Sequence, residues 1–105
     1  MRNKIVVAED EPHITKLLKL KLEKDGFEVI CARDGKEAYE LTKKMKPALV
    51  LLDISLPVLN GFQITEKLRA DPELKDIPIA MLCFEEKLEK QKRVKDLKLA
   101  SEVTP

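Results

Sequence analysis

A run of consecutive apolar residues in the middle of the chain constrains the fold more than any other feature. The run covers residues 48–52 and ends at an acidic residue, Asp53. It lacks the apolar–polar alternation of a strand that has one face in water, so it predicts a central strand covered on both faces. Helices on each side of a parallel sheet provide that cover, and the run therefore favours an α/β fold.

Shorter apolar runs, each followed by a helical pattern, surround this central run. Short apolar segments bounded by Gly, Pro and Asp residues are typical of strands. The further predicted strands are residues 5–8, 27–32, 77–83 and a short, polar last strand within 101–105. The repetition of strand and helix with short loops predicts a parallel sheet with helices on both faces.

Helical patterns fill the segments between the predicted strands. Pro12 suits the first turn of the first helix, and Asp25-Gly26 ends it. The second helix follows a turn at Asp34-Gly35 and stops at Pro47, and Asn60 caps the third. A charged fourth helix is predicted over residues 85–99. The apolar positions are Ile14, Leu17, Leu18 and Leu22 in the first helix, Ala38, Leu41 and Met45 in the second, and Phe62, Ile64 and Leu68 in the third.

Length and composition exclude several classes of protein. The 105 residues predict a single domain, residues 1–105. The 20 basic and 19 acidic side chains nearly balance, so the chain lacks the electrostatic footprint of a nucleic-acid-binding protein. No apolar run approaches the roughly 18 residues that a membrane span needs. The two cysteines, Cys31 and Cys83, lie in apolar runs without short-spaced partners, which favours buried, reduced thiols in a cytoplasmic protein.

Acidic residues follow two of the predicted strands. Glu9 and Asp10 end the first strand, and Asp53 ends the central strand. If these strands are neighbours, the three carboxylates meet at one edge of the sheet and repel one another. Mg²⁺, which prefers carboxylate and water ligands, would relieve that repulsion. Acids at strand ends are also ordinary loop residues, and spacing alone does not separate the two interpretations.

Three segments together resemble the receiver domains of response regulators. They are Ala-Glu-Asp-Glu at residues 8–11, Ala-Arg-Asp-Gly-Lys-Glu-Ala at 32–38 and Leu-Asp-Ile-Ser-Leu-Pro-Val-Leu-Asn-Gly at 52–61. The Asp-x-x-Leu-Pro-x-x-Asn-Gly pattern in the last segment is the most specific of them. The resemblance runs from residue 3 to about residue 84, and more loosely to residue 99.

The resemblance implies a flavodoxin-like, doubly wound sheet with strand order 2-1-3-4-5. It implies that Asp53 accepts a phosphoryl group from the phosphohistidine of a histidine kinase or phosphotransfer protein. Asp10, Asp53 and the Ser55 carbonyl would hold Mg²⁺, and Glu9 would reach the ion through water. Pro57 would shape the loop beyond Asp53, and Gly61 is either a plain loop glycine or part of that role.

The chain departs from the family pattern at the positions that respond to phosphorylation. Cys83 stands where the family carries Thr or Ser, and a thiol is a weaker hydrogen-bond donor. Phe84 follows where a small residue is usual, and its ring either covers the pocket or turns into the core. Thr104 stands where the family carries Lys. These departures predict a blunted response to phosphorylation.

The sequence stops before the fifth helix of the family pattern. The resemblance therefore implies a receiver domain that is incomplete at its C-terminal end, with an apolar strip on the sheet beside the first helix. A helix from a second chain, a homodimer or a chain cut short would each account for this, and the sequence does not distinguish them.

The leading functional hypothesis is a phospho-accepting module of a two-component phosphorelay that acts on an output domain or effector protein. The alternative is a receiver-like interaction or dimerisation module uncoupled from phosphorylation, or a truncated or engineered receiver. A metabolic enzyme is not expected, because the only histidine is His13 and no Ser/His arrangement or glycine-rich nucleotide loop is present. Self-catalysis would be limited to phosphotransfer and slow hydrolysis of the aspartyl phosphate.

Overall fold

The computed structural model describes residues 3–82 and the backbone of residues 101–104. Strands and short connections alternate with helices along the chain, as the sequence predicts. The elements are β1 (Lys4–Ala8), α1 (Pro12–Lys24), β2 (Glu28–Ala32), α2 (Gly35–Met45), β3 (Leu49–Asp53), α3 (Gly61–Ala70), β4 (Ile79–Leu82) and β5 (Ser101–Thr104). Among the residues that the structure describes, none of the helices combines the length and the hydrophobicity that a membrane-spanning segment requires.

One five-stranded sheet organises the fold, with strand order β2-β1-β3-β4-β5. The first four strands are parallel, which confirms the predicted flavodoxin-like arrangement. β5 is short, as predicted, but it runs antiparallel to β4, with Ser101 opposite Leu82 and Thr104 opposite Ile79. An edge strand has only one neighbour, so its direction can differ without disturbing the parallel pairs, and such mixed sheets are common.

Several predicted features lie outside the described residues. These are Cys83, Phe84 and the predicted fourth helix at residues 85–99. Thr104 is described only through its backbone in β5.

The central strand β3 is covered unequally on its two faces. Val50 and Leu52 are fully buried in the main core, under α2 and α3. Leu49 and Leu51 face the smaller cluster under α1 and are only half-buried. The main core therefore lies on the α2 and α3 side of the sheet, and the α1 side is less completely covered.

Leu17, one of the four apolar positions that the sequence singles out in α1, lies outside the contact between this helix and the sheet. Leu18 and Leu22 pack against the α1-side cluster, whereas Leu17 is 67% exposed. Leu20 is also exposed, at 59%. Residues four apart stay nearly in line on a helix, but adjacent residues diverge by about 100°. Because α1 contacts the sheet along a narrow stripe that contains Leu18 and Leu22, the side chain of Leu17 points away from this contact.

The same geometry turns Phe62 away from the core. Ile64 and Leu68, four residues apart, are completely buried in α3, while Phe62 remains 48% exposed. Phe62 lies two positions before Ile64, which corresponds to a rotation of about 200° around the helix axis. Phe62, one of the apolar positions of this helix in the sequence, therefore lies outside the buried stripe of α3.

Side chains define where each helix begins. Asp34 caps α2 rather than simply turning the chain: its carboxylate accepts a hydrogen bond from the Glu37 N–H at 2.8 Å. Asn60 caps α3, as predicted, and forms a reciprocal capping box with Gln63, in which both hydrogen bonds measure 2.9 Å. These caps satisfy backbone N–H groups that a helix start leaves without internal partners. They also fix where the loops at the carboxyl edge of the sheet end.

Replacing the α3 cap gives a test of this role. We expect Asn60→Ala to lower the free energy of unfolding by about 1 kcal/mol, because it removes the acceptor for the Gln63 N–H. Asn60→Asp keeps that acceptor and should remain within a few tenths of a kcal/mol of the wild type. Urea unfolding followed by circular dichroism measures both, and equal losses in the two variants would contradict the capping role.

Cys31 lies in β2, half-buried beside α1. Burial raises the pKa of its thiol; Lys19 works against this effect, and Glu23 adds to it. The thiolate is the reactive form, so a raised pKa slows alkylation near neutral pH. We expect the rate at which iodoacetamide labels Cys31 to keep rising with pH in the alkaline range. The rate for the unperturbed thiol of glutathione should already have reached its plateau there. Peptide mapping measures this, and coincident pH profiles would contradict it.

Candidate functional site

Three carboxylates meet where β1 and β3 end. The two strands are neighbours with Ala8 opposite Leu52, so the residues that follow them emerge side by side. The carboxylates of Glu9, Asp10 and Asp53 offer oxygen atoms that all lie within 4.8 Å of one another. Glu9 and Asp53 are each only 2% exposed, whereas Asp10 is exposed. The tertiary structure therefore brings together the three acids that the sequence singled out.

Backbone contacts hold Glu9 at the end of β1. Its N–H donates to the Ala32 carbonyl at 3.0 Å, which extends the pairing with β2. Its carboxylate accepts a hydrogen bond from the Glu11 N–H at 3.2 Å, and its carbonyl accepts one from the Thr15 hydroxyl at 3.3 Å. These bonds tie the acidic loop to the start of α1.

Asp53 is oriented by the residue two positions later. The backbone N–H of Ser55 donates to Asp53 Oδ1 at 3.2 Å, and the Ser55 hydroxyl donates to the same oxygen at 3.4 Å. The intervening Ile54 N–H donates to the Leu82 carbonyl at 3.0 Å, which keeps the start of the loop aligned with β4. The carboxylate of Asp53 therefore has a defined orientation at the edge of the sheet.

Gly61 closes the loop that begins at Asp53. Its N–H donates to the Ile54 carbonyl at 3.1 Å. A Cβ at this position would come within 3.0 Å of the Asp53 carbonyl oxygen and 3.1 Å of Ile54 Cα. Gly61 is therefore more than a plain loop residue, because the α3 start packs directly against the backbone of Asp53.

A tight turn lies in this loop, between Asp53 and Gly61, and almost nothing in the sequence predicts it. The Leu59 N–H donates to the Pro57 carbonyl at 2.8 Å, which closes a three-residue γ-turn around Val58. Val58 has φ +70°, in the left-handed region that β-branched residues avoid. Only Pro57 pointed to it, because the family resemblance implies that this proline shapes the loop.

The other predicted site residues are Pro57, Cys83, Phe84 and Thr104, and the structure describes only some of them fully. Pro57 is exposed at the turn. Cys83 and Phe84 lie outside the described residues, and nothing is described of the Thr104 side chain. The acidic side of the predicted site is therefore defined, while the positions predicted to respond to phosphorylation are not.

The donor set at this edge suits a hard divalent cation. Three carboxylates this close concentrate negative charge, and two of them belong to buried residues. Mg²⁺ takes oxygen ligands and is usually bound through one or two carboxylates with several waters. An exposed acid beside two buried ones provides such ligands together with access to water.

Comparisons with known proteins point to one family. The family described as the response regulator receiver domain matches residues 5–103. The transcriptional regulatory protein SrrA of Staphylococcus aureus is 45% identical over 82 residues, which are 78% of this chain and 33% of SrrA. The chain thus spans about a third of the length of that relative.

Solved receiver structures share the fold. The chemotaxis response regulator CheY4 of Vibrio cholerae superposes with a TM-score of 0.77 at 28% identity, covering 93% of this chain and 82% of CheY4. The N-terminal domain of a response regulator receiver protein from Methanoculleus marisnigri JR1 gives a TM-score of 0.73 at 32% identity, covering 86% of this chain and 76% of that one. On its sequence, its sheet order and these similarities, the chain belongs to the response regulator receiver family.

Proposed function

We propose that this chain is a phospho-accepting module of a two-component phosphorelay, in which Asp53 takes a phosphoryl group from a histidine kinase or phosphotransfer protein. The observation that carries the proposal is the position of Asp53. Its nearly buried carboxylate lies beside those of Glu9 and Asp10, at the carboxyl edge of a parallel sheet, where ligands of this fold class bind.

The proposed reaction moves a phosphoryl group from nitrogen to oxygen. An Asp53 carboxylate oxygen forms a bond to phosphorus while the P–N bond of the phosphohistidine breaks and the imidazole leaves. The product is an aspartyl phosphate. A carboxylate is a weak nucleophile, so orientation carries much of the rate, and the hydrogen bonds from Ser55 to Asp53 Oδ1 supply that orientation.

Asp10, Asp53 and the Ser55 carbonyl are the proposed Mg²⁺ ligands, with Glu9 acting through water. When bound, the ion offsets the negative charge on the transferring phosphoryl oxygens. Glu9 and Asp53 are buried and fixed by backbone contacts, whereas Asp10 is exposed at the mouth of the site. The negative charges of Glu9 and Asp53 are thus held in fixed positions, whereas Asp10 is accessible to a phosphodonor and to solvent.

The proposed role is signalling in the cytoplasm rather than metabolic catalysis, by a single receiver domain within residues 1–105. Its output would pass to an attached domain or an effector protein. The near balance of 20 basic and 19 acidic residues gives no reason to expect direct DNA contact by this segment. Cys83 and Thr104 remain predicted switch positions, at which we expect a weaker response to phosphorylation than Thr or Ser and Lys would give.

Metal binding should be visible as a gain in stability. A ligand that binds only the folded state at ten times its Kd adds about 1.4 kcal/mol to the free energy of unfolding. We expect Mg²⁺ to raise the Tm of the wild type. Asp53→Asn should raise the Tm in EDTA, because it removes one of three mutually repelling carboxylates, and should respond less to Mg²⁺. Differential scanning fluorimetry measures both effects.

Asp25→Asn is the matched control for the metal experiment. It also removes one carboxylate, but at the exposed end of α1, away from the acidic cluster. Its Tm should rise with Mg²⁺ as in the wild type. If Mg²⁺ raised the Tm of Asp53→Asn as much as that of the wild type, the Asp53 carboxylate would not be a ligand of the ion.

Phosphorylation can be tested with acetyl phosphate as a small phosphodonor. We expect the wild type, incubated with acetyl phosphate and Mg²⁺, to gain the mass of one phosphoryl group. Hydroxylamine, which cleaves acyl phosphates, should remove it. The gain should be absent in Asp53→Asn and retained in Asp25→Asn. Intact-mass spectrometry measures all of these, and either an unmodified wild type or a modified Asp53→Asn variant would refute Asp53 as the acceptor.

A further inference from the structure

Gly35, the first residue of α2, is packed against the loop that follows Asp53. A Cβ on Gly35 would lie 2.5 Å from Leu59 Cβ, 2.8 Å from Ile64 Cδ1 and even closer to the Leu59 carbonyl oxygen. The Ile64 contact involves the end of a flexible side chain, but the Leu59 oxygen belongs to the backbone. Any side chain at residue 35 must therefore displace the main chain on one side of this contact.

A hydrogen bond joins the same two segments. The Gly35 N–H donates to the Pro57 carbonyl at 3.3 Å, and the same oxygen accepts the Leu59 N–H at 2.8 Å. The start of α2 thus shares the acceptor that closes the γ-turn. Through this shared oxygen and the Leu59 contact, Gly35 meets the turn on both sides of Val58.

The turn itself is strained. A β-branched residue in the left-handed region costs on the order of 1–3 kcal/mol, and such a conformation persists only where surrounding contacts impose it. The Val58 side chain is 71% exposed, so its own packing does not hold it there. The contacts that remain are those on its neighbours, Pro57 and Leu59.

On the opposite side of the contact, α2 is firmly fixed. Asp34 caps its first turn, and Ala38 is fully buried in the main core. The Tyr39 hydroxyl donates to Asp71 Oδ2 at 3.1 Å, and Lys67 Nζ lies 4.7 Å from the centre of the Tyr39 ring. These contacts tie α2 to α3 and to the segment after it. A clash between residue 35 and Leu59 would therefore move the loop rather than the helix.

We propose that Gly35 is a positioning residue for phosphoryl transfer: it holds the strained Val58 turn and, through it, the loop that presents Ser55 to Asp53. Ser55 lies in the same loop, and both its N–H and its hydroxyl contact Asp53 Oδ1. Leu56 lies between Ser55 and the turn, and its side chain is buried in the core. Because a close-packed core deforms little, a shift of the turn is passed on to Ser55. This inference rests on the proposed function of Asp53.

Gly35→Ala tests the proposal, with Lys36→Ala as its control at the next, exposed helix position. We expect Gly35→Ala to weaken Mg²⁺ binding about tenfold, as changes outside the metal ligands commonly do. The rate of phosphorylation by acetyl phosphate at saturating Mg²⁺ should fall roughly 10- to 100-fold. The Ser55 amide resonance should move in a ¹H–¹⁵N spectrum of the metal-free protein. Lys36→Ala should leave all three unchanged.

Val58→Gly gives a second test that does not depend on the folding of Gly35→Ala. If contacts with Gly35 set the turn, a glycine at residue 58 removes the strain without moving the loop. The Tm should then rise, while the Mg²⁺ affinity and the phosphorylation rate stay within about twofold of the wild type, a difference of no more than 0.4 kcal/mol. A tenfold loss of Mg²⁺ affinity in Val58→Gly would overturn the proposal.

The outcomes separate this proposal from the one on which it rests. If the wild type binds Mg²⁺ and is phosphorylated, but Gly35→Ala behaves like Lys36→Ala, the positioning role is wrong and the proposed function stands. If the wild type is not phosphorylated at all, the proposed function fails and the positioning role fails with it.

Discussion

The parallel pairing of β1 with β3 is the interaction on which both the fold and the site depend. It places Ala8 opposite Leu52, so the two strands end at the same level and their acidic residues emerge together. Beneath this edge, Val6, Val50 and Leu52 are fully buried in the main core. The register of a buried strand is strongly specified, because a slip of one residue would exchange its two faces. The same burial that stabilises the sheet therefore fixes the separation of the carboxylates.

The concentration of acids at this edge works against stability. Nearly complete burial of Glu9 and Asp53 costs hydration free energy, and their proximity to Asp10 adds repulsion. Backbone N–H groups compensate in part, from Glu11 to Glu9 and from Ser55 to Asp53. Residues in costly arrangements of this kind are concentrated at functional sites. The surrounding strands and helix caps supply the rigidity that keeps the three acids in place.

The loop beyond Asp53 shows how a strained segment is kept in a single conformation. Gly61 packs against the backbone of Asp53, where the loop begins, and Gly35 packs against Leu59, close to where the loop ends. In both places the close approach depends on the absence of a Cβ. The conformation of Val58 is therefore a consequence of contacts made by other segments and not of its own sequence neighbourhood.

The sequence by itself determined most of the secondary structure and the identity of the acidic residues. Apolar runs, helix caps and strand-end acids are local patterns, and local patterns located β1 to β4, α1 to α3, and Glu9, Asp10 and Asp53. The same patterns placed Leu17 on the covered face of α1, although it is exposed, because periodicity does not say how wide a stripe of a helix the sheet will cover. The Asp34-Gly35 pair predicts a turn, whereas the structure shows that the Asp34 carboxylate also caps α2.

Only the tertiary structure decided which distant segments meet. The neighbouring positions of β1 and β3 came from the family resemblance and not from any residue pattern, since strand order is a property of the whole sheet. The antiparallel direction of β5 and the contact of Gly35 with Leu59 had no local signal. Such contacts join residues far apart in the chain, and their geometry is set by how helices and strands pack together. The sequence therefore determined which side chains could form the site, and packing decided how they are arranged.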